Sequence, residues 1–135
     1  MNKENKLVPG LPSGFEDRWD KKLLLKKKLL KAIENNFIKF GAEALETPSF
    51  EISENIGSFL AEDDSNPMSD VFSFQDGEKS ITLRYDLSSP LARFVAENNQ
   101  ELPSIFKRYQ IQNVFRNEKA GNGRYREFMQ ADFDI

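Results

Sequence analysis

Arg116, Glu118, Arg124, Arg126, Glu127, Asp132 and Asp134 crowd one stretch, "VFRNEKAGNGRYREFMQADFDI", residues 114–135. Guanidinium groups grip phosphates in a bidentate manner, and carboxylates accept from amines and ring nitrogens. The apolar residues between the charges are of strand type, and "KAGNG" reads as the turn between two strands. Side chains alternate across a strand, so residues of equal parity share a face. In the second strand the even face carries Arg124, Arg126, Phe128, Gln130, Asp132 and Asp134, while Tyr125, Glu127, Met129, Ala131 and Phe133 form a more core-like odd face. Arg116 and Glu118 share parity across the turn. At about 3.3 Å per residue, Arg124 to Asp134 would span roughly 33 Å. One end of that row suits phosphates, Phe128 suits a heterocycle, and Gln130 with Asp134 suits an amine-bearing group. A nucleotide triphosphate beside a small amine is the ligand this chemistry describes. A solvated strand face laced with ion pairs is the competing reading, and the residues alone leave both open.

Composition narrows the chemistry. The chain of 135 residues contains no Cys and no His, which excludes disulfides, Cys/His zinc sites, a thiol nucleophile and imidazole acid–base catalysis. Carboxylates, Arg, Lys, hydroxyls, backbone groups or a hard cation such as Mg²⁺ remain. With 19 basic against 22 acidic residues, the net charge of −3 argues against bulk electrostatic binding of nucleic acid. No apolar run reaches the ~20 residues of a membrane span, and "MNKENKLVPG" lacks the apolar centre of a secretory signal. No membrane partner and a cytoplasmic location are expected.

The elements that must position these residues can be read in order. Trp19, Leu23, Leu30, Ile33, Phe37 and Phe40 recur at helical spacing, and Gly41 is placed to end that helix. Leu24, Leu25 and Leu29 widen its apolar stripe, for a partner or for a second core face. The Lys run in "DKKLLLKKKLLK" is its solvated face. "AEALETPSFE" predicts a short strand interrupted by Pro48, at a sheet edge or ending at the proline. Residues 53–70 predict a loop with one helical turn. "VFSFQDGEKSITLRYD" predicts a hairpin joined at Asp76-Gly77. "SSPLARFVAENN" predicts a helix with Ser89 as N-cap and Pro90 in first position. Strands follow at about 105–118 and 125–135. The expected class is α+β, built on an antiparallel sheet with flanking helices.

These segments carry a resemblance. "FRNE" followed by "GRYREF" resembles motif 2 of the class II aminoacyl-tRNA synthetases, and "FGAEALETPSFE" resembles their motif 1. "TLRYDLSSPLARFVAEN" is similar to the histidine-binding segment of histidyl-tRNA synthetases, in the branch with Tyr-Asp, and "PSGFED" resembles that family's opening. The resemblance runs from about Leu11 to Ile135 and implies one partial catalytic domain over 1–135. Motif 1 would lie at about 19–50, the histidine-binding segment at about 82–98 and motif 2 at about 114–135. The family's motif 3 and anticodon-binding domain would be absent from it.

By position, the resemblance implies that Arg116 contacts the α-phosphate of ATP and the carboxylate of histidine, as the catalytic residue. Glu118 would meet the adenine amino group, Phe128 would stack on the ring, and Arg124 would hold the γ-phosphate. Asp86, Ser88 and Gln130 would bind the α-amino group, and Asp134 would face the imidazole. Asp86 is one methylene shorter than the family's more common Glu, and Ser88 retains the hydroxyl of its usual Thr. The implied reaction forms histidyl-adenylate from ATP and histidine, then charges tRNA(His). ATP implies Mg²⁺, although no confident metal ligand is present, and motif 1 implies a homodimer. Incomplete by this comparison, the chain would not aminoacylate alone. Two alternatives stand beside it: the synthetase-like regulatory subunit of ATP phosphoribosyltransferase, and a non-catalytic dimerisation module.

Overall fold

The computed structural model describes residues 8–56 and 70–135. Its first element is helix α1, Asp20–Lys39. Leu23, Leu30, Ile33 and Phe37 of the expected stripe turn inward and are half-buried, but the ends fall off it: Trp19 is 77% and Phe40 70% exposed. Trp19 instead occupies the N-cap in extended geometry, and Asp20 after it takes φ 56°, a left-handed conformation uncommon outside glycine. Gly41 ends the helix as expected. Its φ of 77° lets its N–H reach the Ile38 carbonyl at 2.9 Å, while Ala42 N–H reaches Phe37 at 3.2 Å.

The single strand expected around Pro48 is two strands in different sheets. β1 is Glu43–Ala44 and β2 is Phe50–Ile52, with Pro48 between them. Proline lacks the N–H a continuous ladder would need, so the chain changes sheets there. A 3-10 turn over Ser53–Ile56 supplies the expected helical turn; the rest of that expected loop, 57–69, lies outside the described residues. β3 (Ser73–Asp76) and β4 (Lys79–Leu83) form the expected hairpin, one residue out of place. Asp76 pairs with Lys79, so the two-residue turn is Gly77-Glu78, with Gly77 at φ 61°. In this sheet the order is β2-β4-β3.

Helix α2, Ser88–Asn98, begins earlier than expected. Leu87 rather than Ser89 takes the N-cap position, Asp86 just before it accepts from Ser89 N–H through Oδ1 at 3.2 Å, and Pro90 becomes the third helical residue. β5 (Arg108–Phe115) and β6 (Glu127–Asp134) then form the long antiparallel hairpin, in register from Arg108↔Asp134 to Phe115↔Glu127. Arg116 N–H donating to Arg126 carbonyl at 2.8 Å continues it, and the turn closes by reciprocal bonds between Gly121 and Arg124. β1 adds to the free edge of β5 in parallel, as a two-residue exception to the antiparallel pattern. Among the described residues, two α-helices and two three-stranded sheets make the α+β fold expected.

Both faces of the long hairpin are covered. On the odd face Phe37 of α1 packs against Tyr109 (5.8 Å) and Phe133 (5.6 Å), and Glu34 accepts from the Tyr109 hydroxyl at 3.2 Å. On the even face Arg108, Gln110 and Val114 of β5 are fully buried, so β5 adds no open ligand track beside the polar row of β6. Arg84, itself buried, fixes that face: Nε donates to Asn113 carbonyl at 2.6 Å and a terminal nitrogen to Thr47 carbonyl at 2.7 Å. Glu51 is also buried and accepts from two of the three Arg93 guanidinium nitrogens, at 2.8 and 2.9 Å, tying β2 to α2. Leu24, Leu25 and Leu29 stay 60–70% exposed, so they form no second core face within this chain. No helix among the described residues is long and apolar enough to cross a membrane.

Candidate active site

Around the β5–β6 turn, Arg116, Glu118, Gly123, Arg124, Tyr125 and Phe128 line a cleft of about 330 Å³. All four residues expected at ATP are therefore in one place, and the hairpin is the reason. Continuing the ladder brings residue 116 opposite 126, and parity turns Phe128 to the same side.

The groups are engaged with one another. The Arg116 guanidinium lies 4.5 Å from the Tyr85 ring centroid and 5.0 Å from that of Phe128, and Nε donates weakly to Tyr85 carbonyl at 3.4 Å. Glu118 is divided between two donors. The Tyr85 hydroxyl donates to Oε1 at 2.9 Å, and Arg124 pairs with Oε2 through Nε at 2.8 Å and through a terminal nitrogen. Arg126 Nε donates to Glu118 carbonyl at 2.8 Å. Burial works against ionising Glu118, but the Tyr85 and Arg124 hydrogen bonds and the Arg124 and Arg116 charges outweigh it, so its carboxyl lies below its ordinary range. Burial, then the Glu118 hydrogen bond, pushes the Tyr85 hydroxyl up, which keeps it a donor.

The leader braces this cleft. Gly14, at φ 85°, accepts the Arg126 N–H at 2.8 Å, and a Cβ there would meet Arg126 Cγ at 2.7 Å. Only glycine suits that approach.

Of the residues expected at histidine, Arg116 lines this cleft, while Asp86, Ser88, Gln130 and Asp134 lie outside its lining, on two elements that Arg108 joins. Gln130 donates to both Asp132 oxygens at 3.0 Å, and Asp134 faces Arg108 at 2.8 Å. Arg108 also reaches Leu87 carbonyl at 3.4 Å, the residue between Asp86 and Ser88. Asp86 accepts from the first turn of α2, and Ser88 opens that helix at an exposed position. Gln130 Oε1 and Asp134 Oδ2 are buried acceptors with no hydrogen-bond partner among the described residues; the Asp134 contact is an ion pair by distance, off the hydrogen-bond direction. Arg108 and Asp134 also line a second cleft, of about 540 Å³, walled by Leu91, Val95, Leu102 and Phe106.

Sequence reasoning missed Arg108 and Tyr85. Arg108 was legible in principle, since an antiparallel register counted back from the turn sets it opposite Asp134. Tyr85 had no such signal, because its contacts come from separate elements. No group of three His, Cys, Asp or Glu side chains among the described residues is placed to hold a metal ion. These residues do not fit a resident Mg²⁺.

Comparison with known proteins shows the family. Residues 16–135 match the family described as tRNA synthetases class II core domain (F). The chain is 81% identical over all its 135 residues to a histidine–tRNA ligase of Pelagibacter ubique, of which it covers 29%. It is 48% identical over 125 residues to that of Methylocella silvestris, covering 92% of this chain and 25% of the relative. The crystal structure of a histidyl-tRNA synthetase from Nostoc sp. superposes with TM-score 0.77 at 28% identity, over 93% of this chain and 28% of that one. A Bacillus halodurans structure described as an ATP phosphoribosyltransferase regulatory subunit/histidyl-tRNA synthetase has the same TM-score at 24% identity, covering 98% of this chain and 33% of that one. The chain thus spans less than a third of the length of the two ligases it matches. A matching profile over residues 16–135, carried on a hairpin that gathers Arg116, Glu118, Arg124 and Phe128, makes this chain a member of the class II tRNA synthetases.

Proposed function

We propose that this chain supplies the ATP- and histidine-binding hairpin of a histidine–tRNA ligase. The observation that carries the reading is the β5–β6 hairpin, with an Arg- and Phe-lined cleft at its turn and, farther along β6, the Asp134 carboxylate paired with Arg108 and a buried acceptor, Gln130 Oε1, without a hydrogen-bond partner among the described residues. A buried acceptor such as Gln130 Oε1 calls for a donor, and the α-ammonium of histidine supplies one, while a carboxylate such as Asp134 can accept from an imidazole N–H. The 81% identity to a histidine–tRNA ligase supports that amino acid over others. The Bacillus halodurans likeness, at 24% identity, supports the fold alone and gives the regulatory-subunit reading no weight of its own.

In the proposed reaction a carboxylate oxygen of histidine attacks the α-phosphorus of ATP and pyrophosphate leaves. Arg116 would bridge the two reactants and stabilise the charge that develops at phosphorus. It would exchange its places over Tyr85 and Phe128, cation–π contacts of about 1 kcal/mol each, for charge-assisted hydrogen bonds to phosphate. Phe128 would then stack on adenine. Arg124 would leave Glu118 for the γ-phosphate, freeing Oε2 to accept from the adenine amino group. Asp86, Ser88 and Gln130 would bind the α-amino group, and Asp134 would select the imidazole. Transfer to tRNA(His), a cytoplasmic setting and a homodimer through the exposed Leu24, Leu25 and Leu29 of α1 complete the proposal. Mg²⁺ would come with the nucleotide, and no step is assigned to it.

The test replaces the matching segment of the Pelagibacter ubique ligase with this sequence. The chimera is expected to exchange pyrophosphate with ATP only when histidine is present. Exchange with another amino acid, or none, would overturn the proposal.

A further inference from the structure

Beside the expected ATP residues sits one side chain with no assigned role. We propose that Tyr85 is a positioning residue that holds the two ends of the nucleotide cleft in register, its hydroxyl aiming Glu118 at the base and its ring and carbonyl parking Arg116 for the phosphate. The inference rests on the ligase reading and deepens it.

Three contacts carry it. The Tyr85 hydroxyl donates to Glu118 Oε1 at 2.9 Å, its ring lies 4.5 Å from the Arg116 guanidinium carbon, and its carbonyl accepts from Arg116 Nε at 3.4 Å. Arg126 also meets both residues, but through the Glu118 carbonyl and the Arg116 N–H, whereas Tyr85 meets both side chains. Tyr85 can serve as a fixed point because its neighbours are fixed. Arg84 carbonyl accepts from Phe115 N–H at 3.0 Å while its side chain bonds Asn113 and Thr47, and Asp86 bonds the first turn of α2.

The division of Glu118 between two donors gives the residue its purpose. Arg124 is exposed and pairs with Oε2, so it is the partner free to swing to the triphosphate. Once it leaves, Tyr85 is the side-chain donor that remains on Glu118. A carboxylate deprived of both would rotate freely and lose side-chain order just when the base must be read. Holding Oε1 leaves Oε2 as the acceptor presented to the ligand. An exocyclic amino group fits that acceptor; a purine with a carbonyl there, as in GTP, would set two acceptors against each other.

The experiment uses the full-length chimera with Tyr85→Phe and Tyr85→Leu. Tyr85→Phe keeps the ring and removes the hydroxyl. It is expected to raise the KM for ATP about tenfold, to leave kcat within about twofold, and to shrink the preference for ATP over GTP by a similar factor. Tyr85→Leu also removes the platform for Arg116, so kcat should fall about tenfold further. A residue that merely supports the fold would lower Tm and weaken ATP and GTP alike, without a split between KM and kcat. That result, or Tyr85→Phe kinetics equal to the parent, would overturn the positioning role while the ligase reading stands. A parent chimera without histidine-dependent exchange would overturn both.

Discussion

Arg108 and Asp134 face each other across the β5–β6 ladder, with a guanidinium nitrogen 2.8 Å from a carboxylate oxygen and Arg108 completely buried. Burial pulls the Arg108 pKa down, and the Asp134 and Asp132 charges oppose that shift. A cation in that position depends on its compensating charge, since removing one partner of a buried pair costs more than the pair contributes. Asp134 itself is nearly half exposed and Asp132 stays 4.0 Å from Arg108, so Asp134→Asn is expected to destabilise the chain by about 1 kcal/mol. It should also raise the KM for histidine more than that for ATP. Chemical denaturation and pyrophosphate-exchange kinetics would check the two effects separately.

Arg116→Ala removes the group proposed to bridge both reactants. Histidine-dependent exchange in the full-length chimera should fall by about a hundredfold or more. Arg116→Lys should recover little, because an ammonium neither stacks between Tyr85 and Phe128 nor grips phosphate in bidentate fashion. Near-parental exchange by the alanine variant would remove Arg116 from the mechanism.

The Glu118 carboxyl is held below its ordinary value of 4.5. Its contribution to stability is thus fully present above that value and is lost as pH falls through the lower, folded value. Compared with Glu118→Gln, the parent should hold a constant advantage near neutrality that vanishes towards acid. Urea denaturation of both across pH 3 to 7 would reveal it, and an advantage unchanged by pH would contradict the assignment.

Gly14→Ala forces a side chain into a backbone at φ 85° and against Arg126 Cγ at 2.7 Å. A loss of roughly 2 kcal/mol is expected from strain and displacement together. Arg126 holds the Glu118 carbonyl, so the KM for ATP should rise as well. Gly41→Ala has a similar φ of 77° but open space around it, and should cost only about 1 kcal/mol with no kinetic effect. Thermal melts of the two variants side by side separate strain from displacement.

Leu25→Asp with Leu29→Asp places charges on the exposed apolar side of α1. Should that side join two copies, the pair shifts sedimentation at micromolar concentration from dimer to monomer while far-UV dichroism stays unchanged. A parent chain already monomeric under these conditions would exclude the homodimer.

Much of the architecture was legible because local rules decide it. Helical periodicity from Leu23 to Phe37, glycines with left-handed backbones at positions 41 and 77, and alternation along residues 127–134 each act within a few residues of chain. The misplacements were local too. The hairpin turn moved by one residue because Asp76 joined the ladder, and α2 started early because Asp86 reached its N–H groups before Ser89 could.

The sequence by itself determined the hairpin, its parity and the side on which Arg116, Glu118, Arg124 and Phe128 gather. Strand alternation sets the side of Phe128, and the turn carries Arg116, Glu118 and Arg124 close to it. Only the tertiary structure decided what covers that face and who meets whom on it. Burial of Arg108, the span of Arg84 from Thr47 to Asn113, and the reach of Tyr85 to Glu118 join elements tens of residues apart. Such contacts follow from how sheets and helices pack, a global free-energy minimum set by buried apolar area and satisfied hydrogen bonds that no local pattern encodes.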